Sequence, residues 1–145
     1  MGIRSLTTFI ETYVDDKEKK HTTKIVTMYK QMDGYPSGYG KELAGFLARG
    51  KMVSGISVGE KEIVFNGMGC LSAQVVAHFK EGAGGIYLHR GGTTDCGEEY
   101  RYEILFDGKR LTMKAIEVGW KTKDKVIFDG SPSEFEQWVE IGVLK

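Results

Sequence analysis

Polar and apolar residues alternate from Ser5 to Val14 and again from Thr22 to Gln31, in stretches rich in Thr, Ile, Val and Tyr. A period of two marks half-buried strands, and the charged run Asp15 to Lys20 between them predicts an opening antiparallel hairpin. Lys41 to Ala48 changes to a helical period, with Leu43, Phe46 and Leu47 facing inward and Gly50 near its end. Cys70 to Lys80 shows that period more clearly. Leu71, Val75, Val76 and Phe79 share one face, and Gln74 and His78, four apart, share another. Between these helices, Lys51 to Phe65 fits either a short strand or irregular chain, with Met52, Val53, Ile56 and Val58 as its apolar positions. Gly85 to His89 reads as a strand. Glu99 to Phe106 and Lys109 to Val118, joined by Asp107-Gly108, carry the strongest hairpin signal, and Lys125 to Phe128 is one more short strand. Ser131-Pro132-Ser133-Glu134 is a capping box with proline at the first helical position, opening a helix through Trp138 to Ile141. Together these elements predict an α+β fold: a mostly antiparallel sheet of five to seven strands with about three helices packed on one face.

At 145 residues the chain is expected to form a single domain, 1–145, with enough core to need no staples. Its 20 basic and 20 acidic residues cancel, which removes the global field that a nucleic-acid polymer would require. Two cysteines, Cys70 and Cys96, are too few for a zinc site and suit a reduced compartment. Neither a membrane-length apolar run nor a signal-peptide hydrophobic region is present, so the expectation is a soluble, cytoplasmic protein without metal or cofactor. Met1-Gly2 does not make a myristoylation motif, because position 6 is Leu6 rather than Ser or Thr.

The glycines bring in the chemistry. Gln31 to Leu43 holds Gly34, Gly38 and Gly40 with Pro36, Tyr35 and Tyr39, and runs directly into the first helix. Glycines let bare N–H groups approach a ligand, and a helix start offers further unpaired N–H groups at the positive end of the dipole. Such a place suits phosphates and carboxylates. Asn66-Gly67-Met68-Gly69-Cys70 repeats the arrangement before the second helix. Turns and helix starts need the same residue types, so a purely structural reading stands beside the anion-binding one. Neither loop is a triphosphate P-loop: Tyr35 stands where the first glycine is required, and Glu42 follows Lys41. No dinucleotide fingerprint follows a strand at either place. The expected ligand set is Tyr35, Ser37, Gly38, Tyr39, Gly40 and Lys41 from the first loop, Gly67, Gly69, Gln74 and His78 from the second, and Arg90 from the Gly-rich stretch after His89. In this reading Tyr35 and Tyr39 stack on a planar base, while Tyr100 and Tyr102, on one strand face, are structural.

Catalytic alternatives are weaker. Cys70 at a helix start could carry a lowered pKa, but His78 lies two turns up the same helix, roughly 12 Å away and out of reach for a direct dyad. A buried structural cysteine is the better reading of Cys70. Glu98 and Glu99 would point to opposite faces of a strand and would not act as a pair.

The blocks Met1-Gly2-Ile3-Arg4-Ser5-Leu6-Thr7, Met28 to Leu43, Asn66 to Leu71, His78-Phe79-Lys80 and Gly97-Glu98-Glu99-Tyr100 together resemble a family of small uncharacterised bacteriophage proteins. The resemblance covers residues up to about Tyr102 and implies a phage accessory protein in the cytoplasm of the infected host, without bringing an activity. The expectation is therefore a non-catalytic protein that binds and sequesters a small anionic ligand, foremost a nucleotide-derived host immune signal, and forms a homo-oligomer through open sheet edges. An enzyme acting on a phosphorylated or nucleotide substrate, using Cys70, His78 or His89 with Asp33 or Asp95, and a protein-binding inhibitor of a host enzyme are the alternatives.

Overall fold

The computed structural model describes residues 2–53 and 63–142; the predicted apolar positions Ile56 and Val58 lie outside them. The opening hairpin is β1 (Ser5–Val14) and β2 (Lys20–Lys30). One π-type turn over Pro36–Gly40 runs into α1 (Lys41–Arg49). Two short strands, β3 (Gly50–Val53) and β4 (Ile63–Asn66), pair in parallel, and α2 (Gly67–Phe79) follows. The chain then returns to the main sheet as β5 (Ile86–Arg90), β6 (Tyr100–Phe106), β7 (Leu111–Glu117) and β8 (Lys125–Gly130), and closes with α3 (Pro132–Gly142).

The six-stranded sheet has the order β5-β2-β1-β6-β7-β8. All its pairings are antiparallel except β1 with β6, which run in parallel from Ser5↔Tyr100 to Glu11↔Phe106. The expected α+β class therefore holds. Neither the parallel centre nor the β3–β4 pair was expected, because both join segments distant in sequence or ambiguous in pattern.

Register decides the core. Phe9, Met28, Tyr102, Ile104, Met113 and Ala115 fall on one face of the sheet and join Leu43, Leu47, Met68, Leu71, Val75 and Phe135 from the helices in one buried cluster. Burying a side chain of this size contributes about 1.5–3 kcal/mol. On the other face Leu6, Thr8 and Thr27 are also buried, without a helix over them. The connection from β5 to β6 must pass over β2 and β1, and it anchors there: the Gly92 N–H donates to Thr27 Oγ1 (2.9 Å), which itself bonds Thr8 Oγ1 (2.8 Å). Gly91 is required at the crossing, since a Cβ would stand 2.1 Å from the Lys24 carbonyl oxygen.

Local chemistry at the element ends follows the sequence closely. Ser131 accepts from the Glu134 N–H (3.1 Å) while Glu134 accepts from the Ser131 N–H (2.9 Å), the reciprocal pair of a capping box. The Asp107 carboxylate accepts from the N–H groups of Lys109 and Arg110 (2.8 Å each) and closes the β6–β7 turn. At the β5 edge, Lys80 Nζ donates to the Gly84 and Ile86 carbonyls (2.5 and 3.2 Å), a charge placed where another strand would pair. Among the described residues, no helix is long and apolar enough to cross a membrane.

Candidate functional site

The first Gly-rich loop closes on itself. Gly38 N–H donates to the Tyr35 carbonyl (3.0 Å), Tyr39 N–H to that of Asp33 (2.9 Å), and Gly40 N–H to that of Tyr35 (3.3 Å). The Lys41 N–H donates to the Pro36 and Gly38 carbonyls, so the first N–H of α1 is already used. Its glycines are there for packing: a Cβ on Gly40 would meet the Tyr102 hydroxyl at 3.0 Å and the Phe135 ring at 3.1 Å. Tyr39 is 1% exposed, with its ring edge-on to Phe79 and Tyr102 and its hydroxyl sharing a hydrogen bond with Thr7 Oγ1 (2.8 Å). These facts correct the expectation for Gly38, Gly40 and Tyr39: the donors are consumed by the backbone, and the ring expected to stack on a ligand is part of the core.

The remaining expected residues separate. Tyr35 and Ser37 line a 400 Å³ cleft with Tyr100, Trp138 and Gly142, where the carboxyl end of α3 presents the negative end of its dipole. That is the wrong sign for an anion. Lys41 and His78 do share a cleft, of 360 Å³, with Arg49, Glu42 and Glu136 across the small floor of Gly45. Its charges are mixed, Lys41 lies 3.8 Å from Glu140, and the His78 ring stacks on Phe46 (4.3 Å, 24°). Gln74 ties α2 to β4, its amide donating to the Val64 carbonyl (2.5 Å) and to Cys70 Sγ (3.3 Å). Arg90 ends β5 on the far side of β2, exposed, with its carbonyl accepting from Thr93. The expected site is thus divided among separate places.

Gly67 and Gly69 also change meaning, because α2 begins three residues before Cys70 and takes both glycines into its first turn. Gly67 has φ +82° and swings the chain from β4 into the helix. This start opens on a cleft of 530 Å³, lined by Glu11, Tyr13, Met52, Phe106, Gly67 and Lys109 among others. The two Gly-rich segments do not meet there. Gly34 bonds Ile3 beside the beginning of β1, whereas the α2 start lies by Glu11 to Tyr13 near the other end. Along β1 that separation is about 20 Å.

The cleft has a charged end and an apolar wall. The α2 N-terminus has no side-chain cap hydrogen bond among the described residues, and its dipole is positive at this end. Lys109 sits in the tight Asp107 turn, and the Glu11 carboxylate faces the same space. Phe106 and Met52 are half-buried on the wall. Tyr13 is 50% exposed, held flat against His21 (4.9 Å, 18°), which in turn bonds Asp15 (2.7 Å). That hydrogen bond and those from the Lys17 and Lys19 N–H groups hold the Asp15 carboxyl below its usual range. Tyr13 is therefore a ring fixed in place rather than a free side chain.

Sequence reasoning missed Glu11, Tyr13, Phe106 and Lys109. The strand alternation places Glu11 and Tyr13 on one face, but only the parallel β1–β6 pairing brings Phe106 beside them. As for catalysis, Cys96 is a poor thiolate: burial, then Glu98 and Asp95, push its thiol up. His78 and His89 lie on opposite sides of the sheet, on α2 and on the face of β5 toward Tyr29. Among the described residues no three of His, Cys, Asp and Glu come close enough to hold a metal ion. Compared with known proteins, the chain matches no family model, no curated protein and no solved structure.

Proposed function

We propose that the protein binds a small anionic ligand of nucleotide type, without turning it over, in the cleft at the start of α2. The observation that carries this is the convergence on one 530 Å³ space of a helix N-terminus, Lys109, Glu11 and the rings of Tyr13 and Phe106. Ligand pockets commonly occupy 300–1,000 Å³ and combine apolar walls with a few placed polar groups. A phosphate has its place at the α2 N-terminus with Lys109. A planar base has its place against Tyr13 and Phe106, where stacking contributes about 1–3 kcal/mol per ring. Glu11 would repel a bare inorganic anion but accepts hydrogen bonds from an exocyclic amine or a ribose hydroxyl. That pairing of opposite charges favours a nucleotide over free phosphate. In the phage setting that the sequence resemblance implies, binding without chemistry would withdraw a host signal from its receptor.

The test is titration calorimetry of cyclic mono- and dinucleotides against the wild type and the Lys109→Glu, Ser37→Ala and Arg90→Ala variants. The proposal expects saturable binding that Lys109→Glu weakens at least tenfold and the other two leave unchanged. Binding indifferent to Lys109→Glu but lost in Ser37→Ala or Arg90→Ala would overturn it.

A further inference from the structure

The large apolar side chain most exposed among the described residues is Trp120, at 86%. It stands at the tip of the β7–β8 connection, at the opposite end of the sheet from the α2 cleft, since Glu117↔Tyr100 and Leu111↔Phe106 mark the two ends of the β6–β7 ladder. The connection is tied to the sheet by hydrogen bonds. The Gly119 N–H donates to Asp124 Oδ1 (2.9 Å), and Arg101 Nη1 donates to Asp124 Oδ2 (2.7 Å). Arg101 Nε also donates to Glu98 (2.7 Å), whose side chain is only 2% exposed. The tip is thereby tied through Arg101 to a buried carboxylate. Within it, a Cβ on Gly119 would stand 2.4 Å from the Thr122 carbonyl oxygen, and Lys121 takes a left-handed φ of +61°. Lys121 Nζ lies 5.9 Å from the centre of the indole.

An indole carried on a backbone that is already tied down loses less entropy on docking than one on an unanchored loop. Beside Trp120 in the tip stand Lys121 and Lys123, both exposed, while the third charged residue there, Asp124, is engaged by the Gly119 N–H and Arg101. We infer that this tip is a docking knob for a partner protein, the indole entering an apolar pocket rimmed by carboxylates that face Lys121 and Lys123. Tryptophan is enriched among the few residues that dominate protein interfaces, and charged groups belong at their rims. A lipid surface fits less well, because interfacial anchoring needs several apolar side chains and the residues around Trp120, Gly119 and Lys121 to Asp124, include none. A single-stranded nucleic acid would need a basic track with successive rings, whereas this chain has no net charge and one ring here.

The test places a photo-crosslinking amino acid at position 120 of the full chain, and at Lys17 in the β1–β2 turn as control, in the cells that normally contain the protein. The captured partner is then purified and titrated. A partner trapped from position 120 and not from 17, binding Trp120→Ala at least about 30-fold more weakly and the Lys121→Glu/Lys123→Glu variant also more weakly, is the expected result. The melting temperature of each variant should stay at the wild-type value, because these side chains are exposed. A partner that binds Trp120→Ala as tightly as wild type, or no capture above the control, would overturn the inference. So would a blue shift of Trp120 emission, read against Trp120→Phe, on phosphatidylserine-containing vesicles or oligothymidylate. Nucleotide binding at the α2 cleft is measured separately and fails or holds independently.

Discussion

Tyr35 and Tyr39 are four residues apart in one glycine-rich segment, yet one borders solvent and the other is core. Tyr39 stands four residues before Leu43 and eight before Leu47, so it continues the inward face of α1 back through the preceding turn. That spacing was available in the sequence, but Gly38 and Gly40 on either side of it read as a loop. Its hydroxyl bonds Thr7, so Tyr39→Phe leaves a buried hydroxyl without its partner. The expected loss is about 1 kcal/mol in urea denaturation, with nucleotide binding at the α2 cleft unchanged. Burial also pushes the Tyr39 and Tyr102 phenols well above their ordinary value of 10. The unfolded chain ionises these groups from about pH 10 while the folded one keeps its protons, so stability is intact below that pH and falls as pH rises beyond it. Each tyrosine contributes a slope of about 1.4 kcal/mol per pH unit in that window. Denaturation midpoints across alkaline pH should therefore fall less steeply in Tyr39→Phe than in wild type; equal slopes would refute this.

Elements whose ends are fixed by neighbours a few residues away were legible. The Ser131–Glu134 box starts α3, and the Asp107 carboxylate makes the β6–β7 turn. Ser131→Ala is expected to cost about 1 kcal/mol in thermal stability, since it removes the acceptor for the Glu134 N–H. The start of α2 was not legible, because Gly67 and Gly69 look alike in sequence and differ in the fold. Gly67 is left-handed, at φ +82°, whereas Gly69 is not left-handed and a Cβ there would meet nothing within 4 Å. The two alanine substitutions should therefore move the melting temperature in opposite directions. Gly67→Ala is expected to destabilise by about 1–2 kcal/mol and Gly69→Ala to stabilise by about 1 kcal/mol. A loss from Gly69→Ala equal to that from Gly67→Ala would mean that α2 begins later than described. Strand pairings over long separations escaped the sequence for a different reason. Nothing local distinguishes β1 beside β6 from β1 at an edge, and that pairing is what brings Phe106 to Glu11 and Tyr13.

At the scale of the whole molecule, the hairpins, the three helices and the α+β class could be read from periodicity, while the site could not. Glycine-rich helix starts were the visible signal, but the backbone consumes the donors of one and only the other opens on a cleft. The sheet sets these two segments about 20 Å apart, and they share none of these clefts among the described residues. What remains is the cleft at the α2 start, with a charged end and two rings on its wall, and an exposed indole at the opposite end of the sheet. The proposed function requires the cleft to hold a nucleotide-type anion and return it intact. Native mass spectrometry tests it most directly, with cyclic mono- and dinucleotides added to wild type and to Lys109→Glu, followed by denaturation and weighing of what is released. A ligand bound by wild type, depleted in Lys109→Glu and recovered at its original mass is the expected result. Recovery at a changed mass, or no member of the panel retained by wild type, would contradict the account.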